Sequence, residues 1–247
     1  MYDFDEIIDR HGTYSLKYDL AAKRGLPEDI LPFWVADMDF KAPPEVLGEL
    51  SLRINHGIFG YSDTYDESYF NALSNWYKNR FGWQIRPEWL VKSPGVVFAI
   101  CTAIRALTEP GDAVLIQQPV YHPFESSVKD NNRRLIVNRL LYRDGRYLMN
   151  LDEFERLVAK EKVKLFILCN PHNPVSRVWT REELAQVGDI CVRYGVYVIS
   201  DEIHQDFVYP GHKHQVFAGL KPEHSDITVT CTAPSKTFNL PGLQISN

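Results

Sequence analysis

Apolar and polar residues alternate in blocks along the second half of the sequence, and the blocks have two different periods. Short apolar runs of strand length, AVLIQ, VKLFILC and VYVIS, alternate with segments whose apolar residues recur at helical spacing. The runs RRLIVNRL and ITVTCT add two further strands. Strands separated by amphipathic helices predict a mostly parallel sheet that is covered by helices on both faces.

The clearest predicted helix is TREELAQVGDICVRYG. Thr180 is placed to cap its first turn, Glu183 completes a capping box three residues later, and Gly195 follows as the stop. Further helices are predicted within EVLGELSLRI, YDESYFNALSNWYKNRFG, SPGVVFAICTAIRALTEPGD, YHPFESSVKDNN and LDEFERLVAK.

The first forty residues have no clear period and differ from the rest of the chain. They are rich in aromatic residues and turns, as in LPFWVADMDFKAPP. This pattern indicates an arm that packs against another part of the protein. We therefore divide the chain into an N-terminal arm with a small-domain segment, residues 1–46, and a large domain, residues 47–247.

Composition and charge exclude several classes of partner. The chain has 247 residues and a net charge of -5, with acids and bases interspersed. Because no basic block or stripe is present, neither a nucleic acid nor an anionic membrane is expected as a partner. No run approaches transmembrane length and the N-terminus lacks a signal-peptide pattern, so we expect a cytoplasmic protein. The cysteines are spaced for free buried thiols, and no metal site is predicted.

Polar residues with useful chemistry follow three of the predicted strands. Asn173 comes after VKLFILC, Asp201 and His204 come after VYVIS, and Lys236 comes after ITVTCT. In parallel sheets, ligands bind beyond the carboxyl ends of the strands. These side chains are therefore expected to converge at one edge of the sheet.

A glycine turn adds an anion site to this edge. Gly95 opens the apolar helix in SPGVVFAI, where backbone N–H groups can face a phosphate. A lysine can form a Schiff base with an aldehyde cofactor, and a nearby carboxylate can keep a pyridine nitrogen protonated. These are the chemical requirements of pyridoxal 5'-phosphate.

A set of longer motifs runs in order through almost the whole sequence. They are PFWVADMDF, GIFGYSDTYDESYFNALSNWYKNRFGW, SPGVVFAI, CNPHNPVSRVWT, ISDEIHQDFVYPGHKH and APSKTFNLPGLQ. Together they resemble the fold-type I pyridoxal-phosphate enzymes of the aminotransferase class I/II group, and within it the MalY/PatB family of carbon-sulfur lyases. The resemblance implies a three-layer α/β/α sandwich with a mostly parallel sheet, incomplete at its C-terminus, and pyridoxal 5'-phosphate as cofactor.

The resemblance assigns roles to four residues around the cofactor ring. Lys236 is the expected Schiff-base lysine and proton shuttle, and Asp201 is expected to pair with the pyridinium nitrogen. Asn173 donates to the ring oxygen and Tyr121 stacks on the ring face. Lys236, Asp201 and Tyr121 are thus the expected catalytic residues. Taken alone, they also suit an exposed loop lysine, a helix cap and a core tyrosine, and Asn173 suits a plain turn.

Further residues are expected at the cofactor phosphate. Gly95, Val96 and Val97 would bind it through backbone groups and Ser235 through its hydroxyl. Tyr61 matches a tyrosine that reaches the phosphate in the neighbouring subunit, which implies a homodimer.

His204 stands where many aminotransferases have a tyrosine on the ring oxygen. A satisfied surface histidine is the alternative interpretation. Trp34, Asp37 and Asp39 match the family's N-terminal signature near the site entrance, but packing explains them equally well, so we assign them no chemical role.

Two positions depart from the family pattern. Ser176 replaces a usual glycine, and serine would cost stability if the position needs a positive φ. Gln244 stands where aspartate aminotransferases have a phosphate-binding arginine. Lyases of this type also lack that arginine, so the difference favours the lyase group.

The resemblance also implies a C-terminal small domain, with the arginine for the substrate carboxylate, that this chain does not contain. We expect a fragment or a natural truncation, with an unpaired sheet edge and exposed apolar surface. The chain alone is then expected to be poorly soluble or inactive.

The resemblance favours a carbon-sulfur β-lyase of the cystathionine β-lyase type. It would act on cystathionine or a cysteine conjugate and release a thiol, pyruvate and ammonia. An aminotransferase shares Lys236 and Asp201, the residues of the first half of the reaction, and is the first alternative. A non-catalytic relative or a regulator that binds a transcription factor is a second class. A Schiff-base aldolase on a barrel is disfavoured by the non-alternating arm and by the order of Asp201 and Lys236.

Overall fold

A parallel sheet forms the centre of the computed structural model, which describes residues 3–27, 29–63 and 66–247. The strands are β1 (Ala113–Gln118), β2 (Arg134–Arg139), β3 (Leu141–Arg143), β4 (Arg146–Leu148), β5 (Val163–Cys169), β6 (Tyr197–Asp201) and β7 (Thr228–Cys231). Five of them lie side by side in the order β2-β1-β5-β6-β7, and every neighbouring pair is parallel. The predicted parallel sheet is confirmed.

Six helices form where the sequence predicts them: α1 (Pro44–His56), α2 (Glu67–Phe81), α3 (Val96–Leu107), α4 (Pro123–Asp130), α5 (Leu151–Glu161) and α6 (Arg181–Tyr194). Two short helices, α7 (Pro222–Asp226) and α8 (Pro234–Thr237), were not predicted, and α8 carries Lys236 where the sequence indicated a loop. Short 3-10 turns span Ala22–Arg24, Pro87–Trp89, Phe217–Gly219 and Pro241–Leu243. The predicted capping box of α6 is present, since Thr180 and Glu183 bond each other's backbone N–H, and Gly195 ends the helix at φ 64°.

The two faces of the sheet carry separate apolar cores. Along β5, Phe166 and Leu168 pack with residues of α5 and α6, whereas Leu165 and Ile167 pack with residues of α3 and α4. This alternation follows from the two-residue period of a strand, and burying each such side chain stabilises the fold by roughly 2 kcal/mol. The predicted three-layer α/β/α sandwich is therefore confirmed.

A hairpin between β2 and α5 was not predicted. Its strands β3 and β4 are antiparallel, with Leu141 opposite Leu148. Asp144 and Gly145 form the turn and both have positive φ, 49° and 74°. An Asp-Gly pair between two strands favours such a turn, so this signal was present in the sequence.

The N-terminal arm packs against the C-terminal part of the chain. The side chain of Asn239 bonds the backbone of Met38 and Phe40. The division between residues 46 and 47 stays a prediction, and α1 spans it. Within the described residues, none of the helices combines the length and the apolar character needed to cross a bilayer.

Candidate active site

The carboxyl ends of the central strands place four of the predicted residues at one edge of the sheet. Tyr121 follows β1, Asn173 follows β5, Asp201 ends β6 and Lys236 lies on α8 after β7. β1 and β5 are neighbours, and from them the chain order runs in opposite directions across the sheet. Ligands of open parallel sheets bind in the crevice at such a reversal.

Asp201 is a buried carboxyl group at the end of β6. Its Oδ1 accepts a hydrogen bond from the backbone N–H of Ile203 at 3.1 Å. Burial raises its pKa to about 7, the nearby charge of Glu202 also raises it, and the charge of Lys236 lowers it. Because burial disfavours the carboxylate, this group gains strongly from a cationic hydrogen-bond donor.

Lys236 is partly buried, and its amine lies beside the N-terminal arm. The Nζ atom donates to the carbonyl oxygen of Ala36 at 3.2 Å. Burial lowers the pKa of the amine, while the charges of Asp37 and Asp201 oppose that shift. A lowered pKa favours the neutral, nucleophilic form of the amine.

Tyr121 and Asn173 are joined through their backbones. The N–H of Tyr121 donates to the carbonyl oxygen of Asn173 at 3.0 Å, and the N–H of Asn173 donates to the Cys169 sulfur at 3.3 Å. The Tyr121 ring meets Phe124 edge to face at 6.0 Å. Burial raises the pKa of Tyr121, and the charge of Asp201 adds to that shift.

The start of α3 lies at the same edge of the sheet. Gly95 has φ 131°, a value that favours glycine, and its N–H donates to the Ser246 hydroxyl at 3.1 Å. The following N–H groups, those of Val96 and Val97, belong to the first turn, where a helix leaves them without an intrahelical acceptor. Ser235 is buried on α8. Sequence reasoning missed Ser246, whose role here depends on the pairing of residues 93 and 246.

The last two predicted residues occupy different surroundings. His204 is partly buried, and this burial lowers the pKa of its imidazole. The charge of the Lys236 amine lowers that pKa further. Tyr61 is fully exposed on the loop after α1, unlike the buried and partly buried site residues at the edge of the sheet.

The arm supplies two groups that the sequence did not assign to the site. Ala36 accepts from the Lys236 amine, and Asp37 lies near enough to affect its pKa. Ala36 and Lys236 are 200 positions apart in the sequence, so no local sequence pattern reveals this contact. In the described part of the chain, no cluster of three or more His, Cys, Asp or Glu residues is placed to hold a metal.

A parallel sheet between two helical layers, with an acid, an asparagine and a lysine at neighbouring strand ends, defines the aminotransferase-like class of α/β proteins. Residues 28–246 match the model described as Aminotransferase class I and II. The chain belongs to that family.

Two named relatives show which branch of this family the chain resembles. The chain is 48% identical to "Cystathionine beta-lyase PatB" of Bacillus subtilis over 244 residues, which cover 99% of this chain and 63% of that protein. It is 34% identical to "Protein MalY" of Escherichia coli, covering 98% of this chain and 62% of that protein. The resemblance to the MalY/PatB family is thus confirmed. The chain spans somewhat less than two thirds of the length of these relatives.

Two solved structures that are similar to this chain indicate the same kind of protein as the sequence relatives do. Cystalysin from Treponema denticola, whose structure contains a pyridoxal 5'-phosphate cofactor, matches with a TM-score of 0.95 at 39% identity, over 100% of this chain and 63% of that chain. A PLP-bound C-S lyase from Staphylococcus hominis matches with a TM-score of 0.94 at 36% identity, over 100% and 62%.

Proposed function

We propose that the protein containing this chain is a pyridoxal-phosphate-dependent carbon-sulfur β-lyase that cleaves cystathionine or a cysteine conjugate. The observation that carries this proposal is the placement of a partly buried Lys236 and a fully buried Asp201 at neighbouring strand ends. The names of the relatives PatB, cystalysin and the C-S lyase support the substrate class.

The residues present fit this cofactor. The buried Asp201 carboxyl, whose pKa is raised to about 7, is suited to a pyridinium N–H. The Lys236 amine, whose pKa is lowered, is suited to attack an aldehyde. The first turn of α3 after Gly95 offers backbone N–H groups and a positive helix end to a phosphate.

When bound, pyridoxal phosphate supplies an aldehyde carbon for covalent attachment and a ring that stores an electron pair. Asp201 would pair with the ring nitrogen, Tyr121 would cover a ring face, and Asn173 with His204 would bind the ring oxygen. The Lys236 amine would take the proton from the substrate α-carbon, and the Ala36 carbonyl is placed to accept a hydrogen bond from the resulting ammonium. The bond between the β-carbon and sulfur would break with its electron pair leaving on the thiolate, and water would hydrolyse the remaining enamine to pyruvate and ammonia.

The attachment is tested by adding pyridoxal phosphate, reducing with borohydride and mapping the modified peptide by mass spectrometry. The expected result is a label on Lys236 that is lost in Lys236→Ala. A label on another lysine, or none, overturns the cofactor assignment.

The reaction is tested by adding cystathionine with and without a 2-oxo acid acceptor. Pyruvate release without acceptor is expected of a lyase. Strict dependence on the acceptor would instead establish an aminotransferase.

The proposal includes a cytoplasmic homodimer in which Tyr61 serves the neighbouring subunit's site, with residues 1–46 as arm and small-domain segment and 47–247 as large domain. The full exposure of Tyr61 supports its use between subunits. Tyr61→Phe and Lys236→Ala subunits, each weakly active or inactive alone, are expected to recover activity when mixed, because one site of the heterodimer is then intact. No recovery despite subunit exchange would refute the shared site.

A further inference from the structure

The segment formed by residues 36–40 lies against the loop that carries Lys236. We propose that Asn239 is a positioning residue for Lys236, because its carboxamide fixes this segment so that the Ala36 carbonyl lies at the lysine amine. The inference rests on the function proposed above, since that function makes the amine of Lys236 the reacting group.

The carboxamide of Asn239 makes three hydrogen bonds to the segment. Its Oδ1 accepts from the N–H of Met38 at 2.9 Å, and its Nδ2 donates to the carbonyl oxygens of Met38 at 3.0 Å and Phe40 at 2.8 Å. One N–H and two carbonyl partners fix the orientation of the amide, because only the oxygen can accept and only the nitrogen can donate.

The backbone at this position explains why the side chain matters. Asn239 has φ 57° and follows the C-terminal end of α8. Glycine adopts such a φ without strain, so backbone geometry alone would be met by glycine. What asparagine adds is the carboxamide and its contacts with residues 38 and 40.

Two cations of the arm also bind the segment. Arg10 pairs with Asp37 at 2.5 Å and with Asp39 at 2.6 Å, and it donates to the Met38 carbonyl at 3.3 Å. Lys17 pairs with Asp39 at 2.8 Å and donates to the Asp37 carbonyl at 3.2 Å. The segment is therefore bound by the arm as well as by Asn239, which leaves the Ala36 carbonyl little freedom to move away from Lys236.

The charged and titratable groups that act on the Lys236 amine come from separate elements. Asp37 belongs to the segment, Asp201 ends β6, and His204 follows β6. Releasing the segment would admit water to the amine and weaken the burial that opposes its protonation.

The test compares Asn239→Gly with Asn132→Gly in the full-length protein that contains this chain, without cofactor. Asn132 is exposed and has φ 59°, so the control makes the same substitution at the same backbone conformation away from Lys236. Two quantities are measured by mass spectrometry: hydrogen exchange over residues 36–40, and the rate at which acetic anhydride modifies Lys236 as a function of pH.

In Asn239→Gly, exchange over the segment is expected to rise about tenfold or more, as the loss of about 1.4 kcal/mol of local stability implies. The midpoint of the Lys236 modification profile is expected to move to higher pH. Asn132→Gly is expected to match the parent chain in both measurements. An unchanged profile and unchanged exchange in Asn239→Gly, or equal changes in the control, would overturn the positioning role.

If Asn239→Gly does not fold, hydrogen exchange of Asn239→Asp decides the question. Aspartate keeps an acceptor for the Met38 N–H and loses both donor bonds, so faster exchange over residues 38–40 is expected and unchanged exchange refutes the proposal. Neither experiment uses the cofactor. If the proposed function is wrong, borohydride gives no label on Lys236; if Asn239 has no positioning role, hydrogen exchange over the segment is unchanged. The two failures are therefore distinguishable.

Discussion

The backbone N–H of Tyr121 donates to the carbonyl oxygen of Asn173 at 3.0 Å, and this bond joins the loops that follow β1 and β5. These two strands flank the point where the order of the sheet reverses. The bond joins the backbones of the two residues, so the proposed ring-stacking group and the proposed ring-oxygen donor are held on one connected support.

Replacing the Tyr121 ring is expected to weaken cofactor binding. Tyr121→Leu removes the aromatic face, and stacking of about 1 kcal/mol implies roughly a fivefold to tenfold higher dissociation constant for pyridoxal phosphate. Tyr121→Phe keeps the face and is expected to bind as the parent does. Fluorescence titration measures both constants, and equal weakening in the two variants would show that the hydroxyl, not the ring, is responsible.

The buried Asp201 is expected to make the cofactor-free chain less stable as pH rises. Its pKa in the folded chain is about 7, above the ordinary 3.8, so the folded state holds the proton more tightly than the unfolded state does. The stabilisation is fully present below the ordinary pKa and is lost as pH rises through about 7.

Asp201→Asn removes this dependence. Between about pH 5 and pH 8, the parent is expected to lose roughly 3 kcal/mol relative to Asp201→Asn in free energy of unfolding, measured with urea. If the difference between the two proteins does not change with pH, the carboxyl is not held in its protonated form by burial.

Ser176 is expected to be a site of stored backbone strain. The residue has φ 55°, which lies in the left-handed region. This is the positive φ at which serine, in place of the family's usual glycine, is expected to cost stability. Ser176→Gly is expected to raise the free energy of unfolding by about 0.5–1 kcal/mol, since relief of the left-handed cost exceeds the added entropy of the unfolded chain.

Ser126 within α4 provides the contrast for that substitution. Ser126→Gly is expected to destabilise the chain by roughly 0.5 kcal/mol, because glycine is a poor helix former. Urea unfolding of both variants checks the pair, and a destabilised Ser176→Gly would contradict the strain argument.

The buried pair of Glu202 and His214 lies next to the proposed site, because Glu202 follows Asp201. This pair is expected to stabilise the fold. The Glu202 Oε2 lies 2.8 Å from the His214 Nε2, and both side chains are buried. Oε1 of Glu202 also accepts from the Ser200 hydroxyl and the Phe217 N–H. His214→Leu is expected to cost about 3 kcal/mol because it leaves a buried carboxylate without one of its partners. His212→Leu, two residues away and exposed, serves as the control, and equal small losses would refute the prediction.

The parallel sheet and its covering helices could be predicted because their signals are local. Apolar runs mark the strands, and pairs such as Thr180 and Glu183 mark the helix ends. The β3–β4 hairpin was missed although Asp144 and Gly145 carried its signal, since its strands have only three residues each.

The site could be predicted only in part, for a related reason. Tyr121, Asn173, Asp201 and Lys236 follow strands, so the strand order itself brings them together. The contacts of Lys236 with Ala36, and of Asn239 with Met38, join distant parts of the chain. Such pairings depend on how the arm packs, which periodicity and propensity do not encode.

The 200 positions between Ala36 and Lys236 have a consequence for biosynthesis. A ribosome completes β1, β2, β5 and β6 before it makes the lysine, so the sheet can begin to form while the residues that Asn239 later binds still lack that partner. The arm therefore waits in the nascent chain until residues 236–239 have been made, and the amine acquires these surroundings only after that segment has left the exit tunnel.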